Sequence, residues 1–192
     1  MGRYRIRDQH GLNFLTLTIV DWVDVFTRRS YKDIAIDYLR YSQYHKHLQI
    51  FAYVIMSNHV HLVAKADGDI PLTDILRDFK KFTANRILKK IKNRRVESRT
   101  EWFLERFAKA GEQQNNRRLQ FWQVGYHPIE LYSLPVIAQK VGYIHNNPVV
   151  AGWVDEPHHY PYSSASNYVD GKGLLDVDVI EFSTSWIGYV GV

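Results

Sequence analysis

Residues 49–65, "QIFAYVIMSNHVHLVAK", constrain the fold of this chain more than any other stretch. Residues 49–56 form a nearly unbroken apolar run and 59–65 a second one, with only Ser57-Asn58 between them. Runs this short, rich in Val, Ile and aromatics, read as strands, and a two-residue polar break reads as a turn. The stretch is therefore a hairpin whose first strand is buried on both faces. In the second strand side chains alternate, so His59, His61 and Val63 share one face while Val60, Leu62 and Ala64 point into the core. Two imidazoles at i, i+2 are close enough to share one cation, but they are half a site and need a third ligand. A pair of hydrogen-bonded surface histidines would leave the same pattern, and His-x-His alone does not choose between the two. Asn58 supplies a turn that sets the pair at the edge or mouth of the sheet.

The rest of the chain fits around this hairpin. Residues 12–20 ("LNFLTLTIV") alternate as a strand, and 30–47 carry apolar residues at helical spacing behind Ser30. "DGDIP" at 67–71 breaks the chain before a long helix whose core side is marked by Leu72, Ile75, Leu76, Phe79, Phe82, Ile87 and Ile91. A helix is expected near 100–110, then a loop at "GEQQNNRR". Residues 121–130 ("FWQVGYHPIE") read as an extended edge segment because of Pro128. A helix follows over about 134–144. The order β-α-β-β-α-(α)-β-α is that of an α/β (α+β) ferredoxin-like fold, an antiparallel sheet with helices packed mainly on one face. We expect one domain over 1–168 and an acidic C-terminal tail or small appendage over 169–192, where Asp170, Asp176, Asp178 and Glu181 accompany Gly171 and Gly173.

Charge and composition narrow the function. The chain has no Cys, which excludes disulfides, thiolate metal sites and a thiol nucleophile. No apolar run is long enough for a membrane span, and the Arg-led N-terminus lacks a cleavage site, so a soluble cytoplasmic protein is expected. The net charge is +5. Between 77 and 95 stand nine Lys or Arg against Asp78 alone, leaving the remainder slightly acidic. A basic band of this kind suits a polyanion, though a solvated helix face would also carry it.

The segment "VGYIHNNPVVAGWV", 141–154, adds a second set of polar groups. Pro148 disfavours helical geometry at Asn147, so the helix should stop there and a short one should open at Pro148 and end at Gly152. Tyr143 and Asn147 would then lie about one turn apart and face the same way. A tyrosine beside a cation can attack a phosphodiester, because the cation draws charge from the phosphate that the weak phenol nucleophile must enter. His59, His61 and the amide oxygen of Asn147 would be the protein ligands. One of 13 tyrosines could equally be a packing residue.

"MSNHVHLV" (56–63), "FWQ" (121–123), "YIHNNPVVAGWV" (143–154) and "YPYSS" (160–164) occur in this order and resemble the REP-associated tyrosine transposases, relatives of the IS200-like single-tyrosine HUH transposases. The resemblance spans about 10–168. It implies a ferredoxin-like fold with the histidines on a central strand as metal ligands, Tyr143 as the nucleophile and Asn147 as third ligand. It also implies a strand transferase that cuts and rejoins single-stranded DNA near palindromic hairpins through a 5′-phosphotyrosine, with Mg²⁺ or Mn²⁺. Three positions depart from the family's pattern. Ser57 stands for a usual Pro, Val150 for a basic residue and Tyr162 for a common Trp. Two imidazoles by themselves favour softer cations such as Zn²⁺.

For the DNA path the sequence offers Lys80, Lys81, Arg86, Lys89 and Lys90 as phosphate contacts. Trp122 and Tyr126 are candidate base-stacking platforms, and Arg117 and Arg118 could reach a hairpin stem. His45, His47, His127, His158 and His159 read as ordinary surface residues. Two rival classes remain open: a noncatalytic nucleic-acid binder with structural histidines, and a metal-dependent nuclease in which water attacks. The chain could act as a monomer or a homodimer.

Overall fold

A computed structural model of the chain describes residues 5–93, 97–113 and 118–182. Its elements are β1 (Asn13–Thr18), α1 (Arg29–Lys46), β2 (Leu48–Ile55), β3 (His59–Ala66), α2 (Leu72–Ile91), α3 (Thr100–Gln113), β4 (Ile129–Glu130), α4 (Leu134–Val150) and α5 (Ala165–Asp170). The four strands form one sheet in the order β2-β3-β1-β4, with every neighbouring pair antiparallel. This is the ferredoxin-like arrangement expected from the element order. The hairpin at 48–66 is present, closed by a bond from the Met56 N–H to the His59 carbonyl at 2.9 Å.

Alternation along the strands sorts the sheet into two faces. Leu15, Leu17, Tyr53, Ile55, Val60 and Leu62 are fully buried on one of them. Tyr53 of this face lies near Arg40 of α1. Helices α1 and α2 pack on each other, with the Tyr38 ring 4.9 Å from Phe82 and 5.9 Å from Phe79, and Lys46 Nζ 2.6 Å from an Asp78 carboxylate oxygen. Helix α4 lies against the other face, where Tyr143 meets Phe14 and His61. The two long helices thus share one side, and α4 lies on the other, with Tyr168 of α5 against its His145.

The outer edge of β2 and the stretch of β1 not paired with β4 are both covered, as an exposed edge would otherwise invite pairing with another chain. Residues 162–164 run along β2, with Ile55 N–H donating to the Tyr162 carbonyl and Ser164 N–H to the Tyr53 carbonyl, each at 2.9 Å. Further along, Asp178 N–H donates to the Ile50 carbonyl at 2.9 Å, and Leu175 is buried. Residues 171–178 therefore pack on the body of the fold, held also by Arg40 and Gln43 of α1. The free edge of β1 is lined by 121–126, where Gln123 N–H meets the Thr18 carbonyl and Thr16 N–H meets the Tyr126 carbonyl, both at 2.8 Å. The extended segment expected at 121–130 is there, but regular strand survives only at Ile129–Glu130. Positive φ angles at Gly125 (86°) and His127 (42°) turn the backbone out of the ladder.

The break expected at Pro148 does not occur. Helix α4 runs unbroken from Leu134 to Val150 with Pro148 inside it. The proline removes the backbone donor that would serve the Ile144 carbonyl, and within the same turn the Asn147 Nδ2 donates to the Tyr143 carbonyl at 2.7 Å. The helix ends as expected at Gly152, which takes the left-handed conformation. Gly152 N–H then bonds the Val149 carbonyl and Trp153 N–H the Pro148 carbonyl. Continuity matters for the site, because one rigid helix now carries both Tyr143 and Asn147.

Candidate active site

His59 and His61 stand side by side on β3 with ring centroids 4.6 Å apart. The β1–β3 register sets Thr16 opposite His61, and Thr16 Oγ1 lies 3.0 Å from His61 Nδ1. His59 Nδ1 lies 2.7 Å from Asn58 Oδ1, while Asn58 Nδ2 donates to the Trp22 carbonyl at 3.2 Å. Since the amide nitrogen is committed, the atom facing His59 is an oxygen, which only accepts. His59 therefore carries its proton on Nδ1 and presents an unprotonated Nε2. With Nδ1 of His61 engaged by Thr16, Nε2 is the remaining ligand atom there too. Partners of this kind orient imidazoles toward a cation.

Burial keeps both rings neutral. It pushes His61 down to about 3, with His59 and Lys140 lowering it further and the Leu15 carbonyl opposing. Burial lowers His59 as well, against a raising contact from Asn147. Neutral imidazole is the form that binds metals.

Helix α4 brings the other groups. Asn147 is within side-chain hydrogen-bonding reach of His59. Its Nδ2 is held by the Tyr143 carbonyl, so the amide oxygen is the atom left for the histidine side. The Tyr143 ring stands edge-on to His61 at 5.3 Å and to Phe14 at 6.0 Å, and the residue is 49% exposed. Its hydroxyl makes no hydrogen bond among the described residues. The Lys140 ammonium, one turn earlier, lies 5.1 Å from the Phe14 ring centroid and 5.8 Å from that of Tyr143. Helix α4 is itself anchored by His145, half-buried and lowered to about 4 by desolvation, whose Nε2 lies 2.8 Å from Ser164 Oγ. Ser164 Oγ in turn accepts from the Tyr53 N–H on β2.

Two oriented imidazoles and an amide oxygen on adjacent elements are donor types that could hold a divalent cation as three protein ligands. Among the described residues no group of three His, Cys, Asp or Glu side chains could hold a metal, so a cation here would depend on the asparagine oxygen as its third protein ligand.

The residues nominated for DNA divide. Lys81, Arg86, Lys89, Lys90 and Arg118 are exposed. Lys80 is not available. Its ammonium donates to the Gln123 carbonyl at 2.8 Å and to the Gly125 carbonyl, and it lies 4.7 Å from the Tyr126 ring centroid. Burial lowers it to about 8. It is a tether for the 121–126 segment, turned inward because α2 places it one position from Phe79 on the core side. Trp122 is 3% exposed, packed between Phe26, Phe79 and Phe121, and donates from Nε1 to Thr83 Oγ1 at 3.1 Å. It is a core residue and cannot stack a base. Tyr126 is half-buried with one ring face taken by Lys80. Arg117 lies outside the described residues, as do Arg94 and Arg95 of the basic band.

Three of these exposed cations, Arg86, Lys89 and Lys90, line a groove of about 590 Å³ between α1 and α2, bordered also by Ile34, Asp37 and Phe82. This groove lies on the side of the sheet away from His59, His61 and Tyr143.

Sheet and site together define a ferredoxin-like protein with a histidine pair and a tyrosine facing each other on one surface. The model of the family "Transposase IS200 like" matches residues 22–109, somewhat under half of the chain. Over that stretch the chain is similar to IS200-like transposase sequence, and of the four motifs read from the sequence the one at 56–63 lies inside it. The histidine pair falls inside the match, and Tyr143 and Asn147 fall beyond it. Among solved structures, a REP-associated tyrosine transposase bound to a REP hairpin is similar with a TM-score of 0.59 and 20% identity, over 95% of this chain and 96% of that one. At this identity the shared property is the fold. A candidate transposase from Deinococcus radiodurans R1 aligns over 76% of this chain and 97% of its own, at 19% identity and a TM-score of 0.42. No curated protein is significantly similar to the chain. No helix among the described residues is long and apolar enough to cross a membrane.

Sequence reasoning missed Thr16 and Lys140. Lys140 had a signal, since Lys-x-x-Tyr puts it one turn from Tyr143 on a helix. Thr16 had none, because its place beside His61 is set by strand register.

Proposed function

We propose that the protein cuts and rejoins single-stranded DNA with Tyr143 as the nucleophile and a divalent cation, Mg²⁺ or Mn²⁺, held by His59, His61 and Asn147. The observation that carries this reading is the half-exposed Tyr143 standing 5.3 Å from the buried, neutral His61 on one sheet face. A cation there would draw charge from the phosphate as the transition state forms. Tyr143 Oη attacks the phosphorus, its proton passes to solvent, and the bond to the 3′-oxygen breaks. The products are a 5′-phosphotyrosine and a strand with a free 3′-OH. Attack by a 3′-OH reverses the step and restores the phenol. The Lys140 ammonium stands where it would meet the phosphate charge beside the phenol.

The partner we infer is single-stranded DNA carrying a palindromic hairpin, which agrees with the hairpin bound by the structurally similar transposase. The exposed Lys81, Arg86, Lys89 and Lys90 supply phosphate contacts remote from the chemistry. The test is a labelled hairpin-bearing oligonucleotide incubated with Mn²⁺. Wild type should give a covalent adduct that survives SDS, and Tyr143→Phe should give none. Cutting that persists in Tyr143→Phe would mean that water attacks. Binding without cutting in any divalent cation would make the protein a binder only.

A further inference from the structure

Residues 20–22 carry a feature that folding does not explain. Asp21 and Trp22 both adopt left-handed backbone, with φ of 51° and 54°. A bulky residue in that region is strained, by roughly 1 kcal/mol or more, where Gly or Asn would be at ease. The side chain held in this conformation is nevertheless 58% exposed, so little burial compensates the strain. The turn itself is ordered. Trp22 N–H donates to the Ile19 carbonyl at 3.2 Å, Val23 N–H to the Val20 carbonyl at 3.1 Å, and Ile19 N–H to the Asn58 carbonyl at 2.9 Å.

The place of the indole is specific. Its ring centroid is 6.2 Å from that of His59 in an edge-to-face arrangement. One amide ties the two together, because Asn58 accepts from His59 Nδ1–H and donates to the Trp22 carbonyl. The group that orients the histidine thus also holds the tryptophan beside it. Trp22 lies on the His59 side of the pair and Tyr143 on the His61 side. An exposed aromatic on a hydrogen-bonded turn at the rim of a phosphate-processing centre is what a single strand needs for one of its bases.

We propose that Trp22 is a stacking platform for a nucleobase next to the scissile phosphate, fixing the register of the strand across His59, His61 and Tyr143. The inference rests on the DNA-cleaving reading above. It replaces Trp122, whose ring is enclosed in the core, as the base-stacking tryptophan.

The test uses the full chain and hairpin-bearing single-stranded DNA with 2-aminopurine placed in turn at each position flanking the mapped cleavage point. Trp22→Tyr keeps a ring, and Trp22→Asn removes it while suiting the left-handed backbone, so loss of fold is not the confounder. One flanking position should show fluorescence quenching on binding to wild type and to Trp22→Tyr. That quenching should vanish in Trp22→Asn, with KM raised about tenfold or more. Cleavage by Trp22→Asn with unchanged KM and unchanged quenching at every position would overturn the platform while leaving the proposed activity intact. A wild-type protein that neither binds nor cuts the DNA would overturn both.

Discussion

The two faces of the sheet put the same kinds of residue to opposite uses. On the face covered by α4, polar and aromatic groups are few, oriented and mutually dependent. On the far side, α1 and α2 present a groove whose cations are exposed, spaced along a helix and largely independent of one another. Two lysines make the contrast plain. Lys140 projects toward Phe14 and Tyr143 beside the histidines, whereas Lys80, near the start of the basic band, is folded back onto two carbonyls. Charge in the sequence therefore marks where a polyanion could lie, but the local helix phase decides which cations can reach it.

The contrast yields a graded set of expectations. The largest effect belongs to the α4 face. His61→Ala should lower adduct formation by about a thousandfold or more while DNA affinity changes little, measured by single-turnover cleavage and by a binding titration. Changing Lys81, Arg86, Lys89 and Lys90 together to Gln should do the reverse. Affinity should fall by about a hundredfold, and the slope of log affinity against log salt should drop by about 3, with the cleavage rate at saturation preserved. If that variant loses saturated cleavage, the two faces are not separable.

A third expectation sharpens the division within α2. Lys80→Met should cost about 1–3 kcal/mol of stability in denaturant titrations and leave the salt slope as it was, because its ammonium caps two carbonyls. Lys81→Met should move the salt slope and not the stability.

A last expectation concerns pH. His61 and His145 titrate at about 3 and about 4 in the folded chain, below the ordinary histidine value near 6.5. In the interval between, the unfolded chain binds more protons, so stability is fully present above about 6.5 and is lost as pH falls toward 4. Thermal scans should show the midpoint falling across that window, and less steeply in His145→Asn.

Much of the fold was legible because it is written in periodicity. The hairpin at 48–66, the helices α1 and α2 and the order of elements follow from strand alternation and helical spacing, which are local properties. Pro148 misled because the rule for proline looks at the backbone alone. In α4 the same turn is also tied by the Asn147 side chain, which bonds the Tyr143 carbonyl. Trp122 and Lys80 misled for a related reason. Each is amphipathic, and which end is satisfied depends on residues far away in sequence, Phe26 and Phe79 for one and the 123–125 carbonyls for the other. The residues nominated from the sequence, His59, His61, Tyr143 and Asn147, stand near one another in the fold. Thr16 and Trp22 were not, since only strand register and a strained turn put them there.

The central claim, that the tyrosine on α4 is the group joined to DNA, is tested most directly by isolating the protein–oligonucleotide adduct, digesting it and locating the modified residue by mass spectrometry. The expected result is a single nucleotide-bearing peptide in which fragmentation places the phosphodiester on Tyr143. The phosphate found on any other tyrosine, or cleaved DNA with no protein attached, would contradict it.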